Sequence, residues 1–319
     1  RYYTLRGLVS LSRNAYKKSA DFFNRAIAAG RTEKILYVYL AQARYGMKDH
    51  RATLKALEKT GGEMKRNSRL YRIKVRCHWA LKEKALAMGT LEEAEETFPD
   101  KPFFPKQKIL FMIRMGLCRE AARIGREFLE QPGKAPHDYL VIGEALRRSR
   151  QYKLALGILE MAKLKFAVND KIIYSLAHTY MGWGKYKAAA ALFEEASARN
   201  PKFLPQAVEL YRKAGNYHRA MMLNAEIKDQ KVKTKQRLGI LLEQQRYAGV
   251  VSLESRLERL GLMKDQRLRY ALAFSCFKIG QFEKAVELLG RIDDKELFSN
   301  VTRLRKVIDV YRDSEWQIP

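Results

Sequence analysis

Lys65, Arg69, Arg72 and Arg76 recur at intervals of four, three and four residues. Side chains three and four apart are neighbours on one helix face. The spacing therefore predicts a basic stripe, with Leu70, Ile73 and Cys77 on the opposite side. Like charges so placed cost a helix roughly 0.2–0.5 kcal/mol per pair. Such a stripe can grip an oxyanion or simply face water, and a solvated outer face is the plainer reading.

Other chemistry is harder to place. His50, His78, His137, His178 and His218 are scattered, without an H-E-x-x-H or a cysteine–histidine metal spacing. Gly184-Lys185 looks like the end of a phosphate loop, but the glycine needed five residues earlier is Thr179. No G-x-S-x-G elbow occurs. Thr90 to Glu93 has the form of a capping box, which would place Glu92, Glu93, Glu95 and Glu96 in a first helical turn. Negative charge there suits the helix dipole, so these acids read as structural and not as paired catalytic carboxylates. Cys77, Cys118 and Cys276 are far apart and odd in number, and read as small buried hydrophobes. The sequon at Asn300 falls within a helical pattern and reads as chance. No catalytic residue, metal or small-molecule cofactor is expected.

The charge is unusual. Sixty-two Lys and Arg face 35 Asp and Glu, a net charge of +27 over 319 residues. The excess is +10 in residues 1–100, +9 in 101–200 and +8 in 201–319. A basic tail would concentrate it; here the whole body is positive, which suits acidic partners or a polyanion. With 47% apolar residues the chain can bury a core. It has no apolar run near the roughly 20 residues that cross a bilayer and no signal peptide. The first residue is Arg1. Its compartment is left open between the cytoplasm and the soluble part of a membrane-associated or periplasmic protein.

Positioning these side chains falls to helices, because apolar residues recur at i, i+3, i+4 and i+7 and no strand alternation survives. The pattern is clearest over 170–201: Ile173, Leu176-Ala177, Tyr180, Gly184, Tyr186, Ala189, Phe193, Ala196 and Pro201. It recurs as Tyr139, Ile142-Gly143, Leu146, Tyr152 and Ala155, and again as Leu272-Ala273, Cys276, Gly280, Phe282, Ala285 and Leu289. Fainter copies stand at Tyr211–Ile227 and at Gly7, Tyr16, Phe23 and Ala26; those at 102–132 and 232–260 are degenerate, and 65–97 is the poorest. The order of large apolar, Leu-Gly/Ala, Tyr, Ala and Phe resembles the 34-residue tetratricopeptide repeat.

That resemblance implies an all-α, right-handed α-solenoid of stacked helical hairpins over 1–295, about eight repeats. A capping helix over 296–312 with a frayed tail at 314–319 would close it. One hairpin cannot bury its own apolar face, so copies must stack. The resemblance also places the second, fifth, ninth, twelfth and thirteenth residues of each first helix in a concave groove. Those positions hold Lys171, Lys202, Lys233 and Arg267, then Tyr174 and Tyr270, then His178, Arg212, Lys213 and Lys278. The clamp by which co-chaperone members of the family grip a terminal carboxylate is missing, since Leu140, Glu144, Tyr174 and His178 occupy its places. The expectation is a non-enzymatic scaffold that holds acidic segments of partner proteins in assembling a larger complex. The soluble part of a bacterial envelope factor is the setting that analogy suggests. The alternative is a solenoid that binds RNA, DNA or an acidic polysaccharide.

Overall fold

Short left-handed turns break the chain into helices that fold back on one another. The computed structural model describes residues 1–315, and among these every regular element is helical. They form two compact units, residues 1–158 and the described residues from 159 onward.

The first unit runs α1 (Tyr2–Ser12), α2 (Tyr16–Ala28), α3 (Lys34–Gly46), α4 (His50–Glu58) and a single turn, α5 (Glu63–Arg66). It continues with α6 (Ser68–Ala80), α7 (Lys84–Thr97), α8 (Phe103–Arg114), α9 (Cys118–Glu130) and α10 (Pro136–Arg148). Helix α11 (Tyr152–Lys165) holds residues of both units. The second unit continues with α12 (Asp170–Gly182), α13 (Tyr186–Ser197), α14 (Leu204–Lys213), α15 (Tyr217–Glu226) and α16 (Gln230–Glu243). Then come the short α17 (Tyr247–Val251) and α18 (Glu254–Arg259), followed by α19 (Gln266–Lys278), α20 (Phe282–Gly290) and α21 (Phe298–Glu315).

Each hairpin is closed by sequence. The first helices α6, α12, α16 and α19 start on the side-chain caps Asn67, Asn169, Asp229 and Asp265, whose oxygens accept from orphan backbone N–H groups. They end on a residue with positive φ: at Gly184 (φ 75°) the N–H donates to Met181 O, and Lys185 N–H donates to Tyr180 O. Together these bonds satisfy the last carbonyls of α12. Inside the hairpin of α12 and α13, Ile173, Leu176, Ala177, Ala189, Phe193 and Ala196 are fully buried. The alanines permit close approach and the large residues fill the gaps, burial of a Leu or Phe contributing about 1.5–3 kcal/mol.

Hairpins then stack on their neighbours within each unit. In the first, α1 packs on α3, α3 on α6, and α8 on α10; in the second, α14 packs on α16 and α16 on α19. The result is the expected all-α solenoid. Helix α21 lies against both α19 and α20, burying Val301, Leu304 and Ile308, as a capping helix should. It begins at Phe298, so Leu297 precedes it. The expected fraying of the tail at 314–319 falls largely outside the described residues. All three cysteines are buried and free.

Two sequence expectations are corrected. Thr90 and Glu93 do not open a helix; both lie inside α7, where Thr90 Oγ1 donates to Leu86 O at 2.7 Å. A threonine can bond back to the carbonyl four residues earlier as readily as it can cap, so the motif alone misleads. Glu92, Glu93, Glu95 and Glu96 therefore occupy the C-terminal half of α7, where the dipole disfavours them. Their compensation is ionic. Lys108 of α8 stands 3.1 Å from Glu92 and 3.6 Å from Glu95, and Glu93 accepts from Tyr71 Oη at 2.7 Å.

Candidate functional site

In the second unit, Lys171, Lys202 and Arg267 each stand two residues after a capping side chain: Asn169, Asn200 and Asp265. The backbone N–H of each donates to that cap. In α16 the cap is Asp229, and the residue so placed is Lys231. Lys233 lies two residues further on, and its ammonium donates to Ala225 O at the end of α15. The expected spacing of the ladder thus slips by two at one rung, because α15, at 10 residues, is two shorter than α13.

Most of the remaining cations are already engaged. Arg212 bridges Glu209 of its own helix and Glu243 of α16, and Lys213 stands 4.0 Å from Glu209. Arg267 pairs with Glu296 at 2.8 Å. Lys278 lies over the rings of Phe274 and Phe277, 5.6 and 5.7 Å from their centres. Tyr270 is half-buried against the core of the last hairpins, and burial raises its hydroxyl above the usual range, opposed by the charge of Arg303. Tyr174 is 49% exposed, with its ring 4.2 Å from that of His178. Lys171 and Lys202 are exposed and make no ion pair among the described residues. Two of the four ladder cations, Lys233 and Arg267, are thus engaged within the protein. Pairs such as Arg212–Glu243 and Lys235–Asp265 (3.0 Å) join one hairpin to the next, each worth about 0.2–1 kcal/mol at such exposure.

The first unit differs. Lys65 lies in α5, and the extended backbone of Asn67 separates it from α6, so three of the four stripe cations share a face. Arg69, Arg72 and Arg76 are the second, fifth and ninth residues of α6. These are the groove positions of a first helix and not an outer face. They line a cavity of about 640 Å³ with Leu11, Asn14, Tyr16, Gln42, Tyr45, Gly46 and Ile73. Ile73 therefore sits beside the arginines. Arg72 stacks its guanidinium 4.2 Å from the centre of Phe103, and Arg76 donates to Tyr45 Oη at 3.5 Å. Among the described residues none of the three makes an ion pair with a carboxylate.

The cavity is shaped by Gly46. A Cβ there would meet the Tyr16 ring at 2.5 Å, so glycine lets that ring lie flat on the end of α3. Tyr16 Oη is fixed by donating to Asn14 Oδ1 at 2.8 Å. Three unpaired guanidinium forks, a phenol and the Gln42 amide can together receive carboxylates or other oxyanions by charge-assisted bonds. Reasoning from spacing found the arginines but missed Gln42, Tyr45, Tyr16 and Asn14. Counting from Asn67 as a cap, as from Asn169, would have put α6 in register.

A second cavity, about 540 Å³, lies between α8 and α10 and is lined by Leu110, Ile113, Leu140, Val141, Arg114 and Arg148, among others. Leu140 and Glu144 occupy the fifth and ninth positions of α10, and Glu144 accepts from Arg147 at 2.5 Å. Among the described residues no group of three or more His, Cys, Asp or Glu side chains is placed to hold a metal. No described helix is long and apolar enough to cross a membrane.

Residues 170–203, the hairpin of α12 and α13, match the model of the tetratricopeptide repeat. No curated protein matches the chain. Among solved structures, the C-terminal part of a tetratricopeptide-repeat protein from Cytophaga hutchinsonii shares the fold. It has a TM-score of 0.54 and 15% identity, covering 74% of this chain and 93% of that one. A tetratricopeptide repeat protein from Parabacteroides merdae aligns over 87% of this chain and 99% of its own, with 12% identity and a TM-score of 0.43.

Proposed function

We propose that this chain, an array of tetratricopeptide-type helical hairpins, is a non-enzymatic scaffold that holds acidic segments of partner proteins during assembly of a larger complex. The observation that carries the reading is the set of three unpaired arginines around the cavity of α3 and α6. A partner carboxylate that approaches Arg212 or Arg267 must displace an internal one and so gains little, and Lys171 and Lys202 offer it only single, exposed ammonium groups. In the arginine cavity it meets guanidinium groups with no prior acid, and a charge-assisted bond there is worth about 1.5–3 kcal/mol. Arg72 and Arg76 are further held by Phe103 and Tyr45, so less freedom is lost on binding.

The test is fluorescence anisotropy of the full chain with a labelled peptide of alternating glutamate and leucine. Replacing Arg72 and Arg76 by Gln should weaken binding at least tenfold, whereas Lys17→Gln with Lys18→Gln, the same charge change elsewhere, should barely matter. The second reading, a polyanion-binding solenoid, draws on the even spread of the +27 charge. Equal losses in both variants, with duplex DNA of arbitrary sequence displacing the peptide, would favour it.

A further inference from the structure

Three of the five first helices of unit 1 end on cations held in a backbone conformation that side chains avoid. The turns α1–α2, α3–α4, α6–α7, α8–α9 and α10–α11 each contain one residue of positive φ. These are Asn14 (58°), Lys48 (61°), Lys82 (64°), Gly116 (87°) and Arg150 (58°). In the second unit the same place is held by Gly184, Gly215 and Gly280, with Gln245 the exception. Glycine is the ordinary residue after a helix end because a Cβ is disfavoured there. Cations at three equivalent strained positions point to use and not to folding.

These turns follow one another along one edge of the unit. The Tyr16 ring rests on Gly46, and Arg76 reaches Tyr45. Trp79 and Phe111 stack at 3.6 Å, and Arg114 and Arg148 line one cavity. Lys48, Lys82 and Arg150 are exposed, and among the described residues they make no ion pair. Arg13, Lys84 and Arg119 on the same edge are likewise exposed and unpaired. Beside the cations stand apolar side chains turned to solvent: Met47, adjacent to Lys48 and 37% exposed, and Leu117, adjacent to Gly116 and 52% exposed.

We propose that this edge docks unit 1 on an anionic lipid surface. The turn cations lie among the headgroups, and Met47 and Leu117 enter the boundary with the acyl chains. Cations interleaved with exposed aliphatic groups are the chemistry of that interface. A single-stranded nucleic acid would instead use exposed aromatic platforms, and the aromatic residues of these turns, Tyr16 and Tyr152, are half-buried. The contact is one of surface attachment through Lys48, Lys82 and Arg150, none of which lines the arginine cavity.

Sedimentation of the full chain with phosphatidylcholine vesicles containing about one-third phosphatidylglycerol tests this. The variant Lys48→Gly, Lys82→Gly, Arg150→Gly should partition about a hundredfold less, from the loss of three surface cations. Its Tm should be equal to or higher than the parent's, since glycine suits the left-handed backbone. Four results would overturn the proposal: a parent that ignores these vesicles, equal binding to purely neutral ones, undiminished binding by the variant, or displacement from vesicles by duplex DNA. A lower Tm in the variant would also overturn it, by showing that the cations hold the fold.

Discussion

Gly7→Ala and Gly89→Ala make the same chemical change inside two helices, yet only Gly89→Ala should stabilise the fold. A Cβ on Gly7 would lie 2.7 Å from Cε1 of Phe23 and 2.9 Å from Cδ1 and Cζ. That ring is fully buried and stacked on Tyr39 at 5.7 Å, so it has nowhere to swing. Gly89 in α7 has nothing within 4 Å of the added Cβ. Both variants gain about 1 kcal/mol of helix propensity, and only Gly7→Ala overpacks, at a cost of about 1–3 kcal/mol. Gly89→Ala should therefore be stabilised by about 1 kcal/mol, while Gly7→Ala should fall between neutral and about 2 kcal/mol destabilised. The difference between them, about 1–3 kcal/mol, isolates the overpacking term. Denaturant unfolding followed by far-ultraviolet circular dichroism reads both. Repeat arrays can lose cooperativity, so the earliest transition is the one to compare. Equal stability of the two variants would refute the packing of α1 on α2 in this register.

Ala189→Leu should cost about 1–3 kcal/mol in the same assay, because Ala189 is fully buried between α12 and α13; an unchanged melt would refute the register of that hairpin. Lys233→Ala should cost about 1 kcal/mol by losing the bond to the Ala225 carbonyl, whereas Lys231→Ala should cost almost nothing; equal effects would refute the shifted rung. Burial first, then hydrogen bonds to Glu160 and Glu194, push Tyr180 and Tyr211 up to about 12. Their folded values exceed the ordinary 10.0, so the stability they contribute is full below pH 10 and lost as pH rises from 10 towards 12. Tyrosinate absorbance should lag accordingly; complete ionisation near pH 10 with the helices intact would contradict this.

Helix class, hairpin stacking and the capping role of α21 were legible because apolar spacing and the Ala, Tyr and Phe signature answer directly to packing. The side of α6 that faces the groove was not legible. Residues 65–97 hold Val75 and Lys82 where the clearest copy has Ala177 and Gly184, and the break at Asn67 splits Lys65 from the arginines. The acids of α7 misled because Thr90 has two local partners to choose between, a cap or the carboxyl side of the preceding turn. Which cations are free was hidden altogether. Arg212 and Arg267 find their acids about one repeat away in sequence, while Arg69, Arg72 and Arg76 find none among the described residues. That difference depends on how neighbouring hairpins stack.

The central claim is that acidic partner segments enter the groove at α6, and photo-cross-linking tests it most directly. An alternating glutamate–leucine peptide carrying a diazirine side chain would be irradiated with the full chain at physiological salt, and the adducts mapped by mass spectrometry. The account predicts adducts on Leu11, Tyr45 and Ile73, around the arginine cavity, and their loss in the Arg72→Gln, Arg76→Gln variant. Adducts spread evenly over the basic surface, or unchanged in that variant, would contradict it.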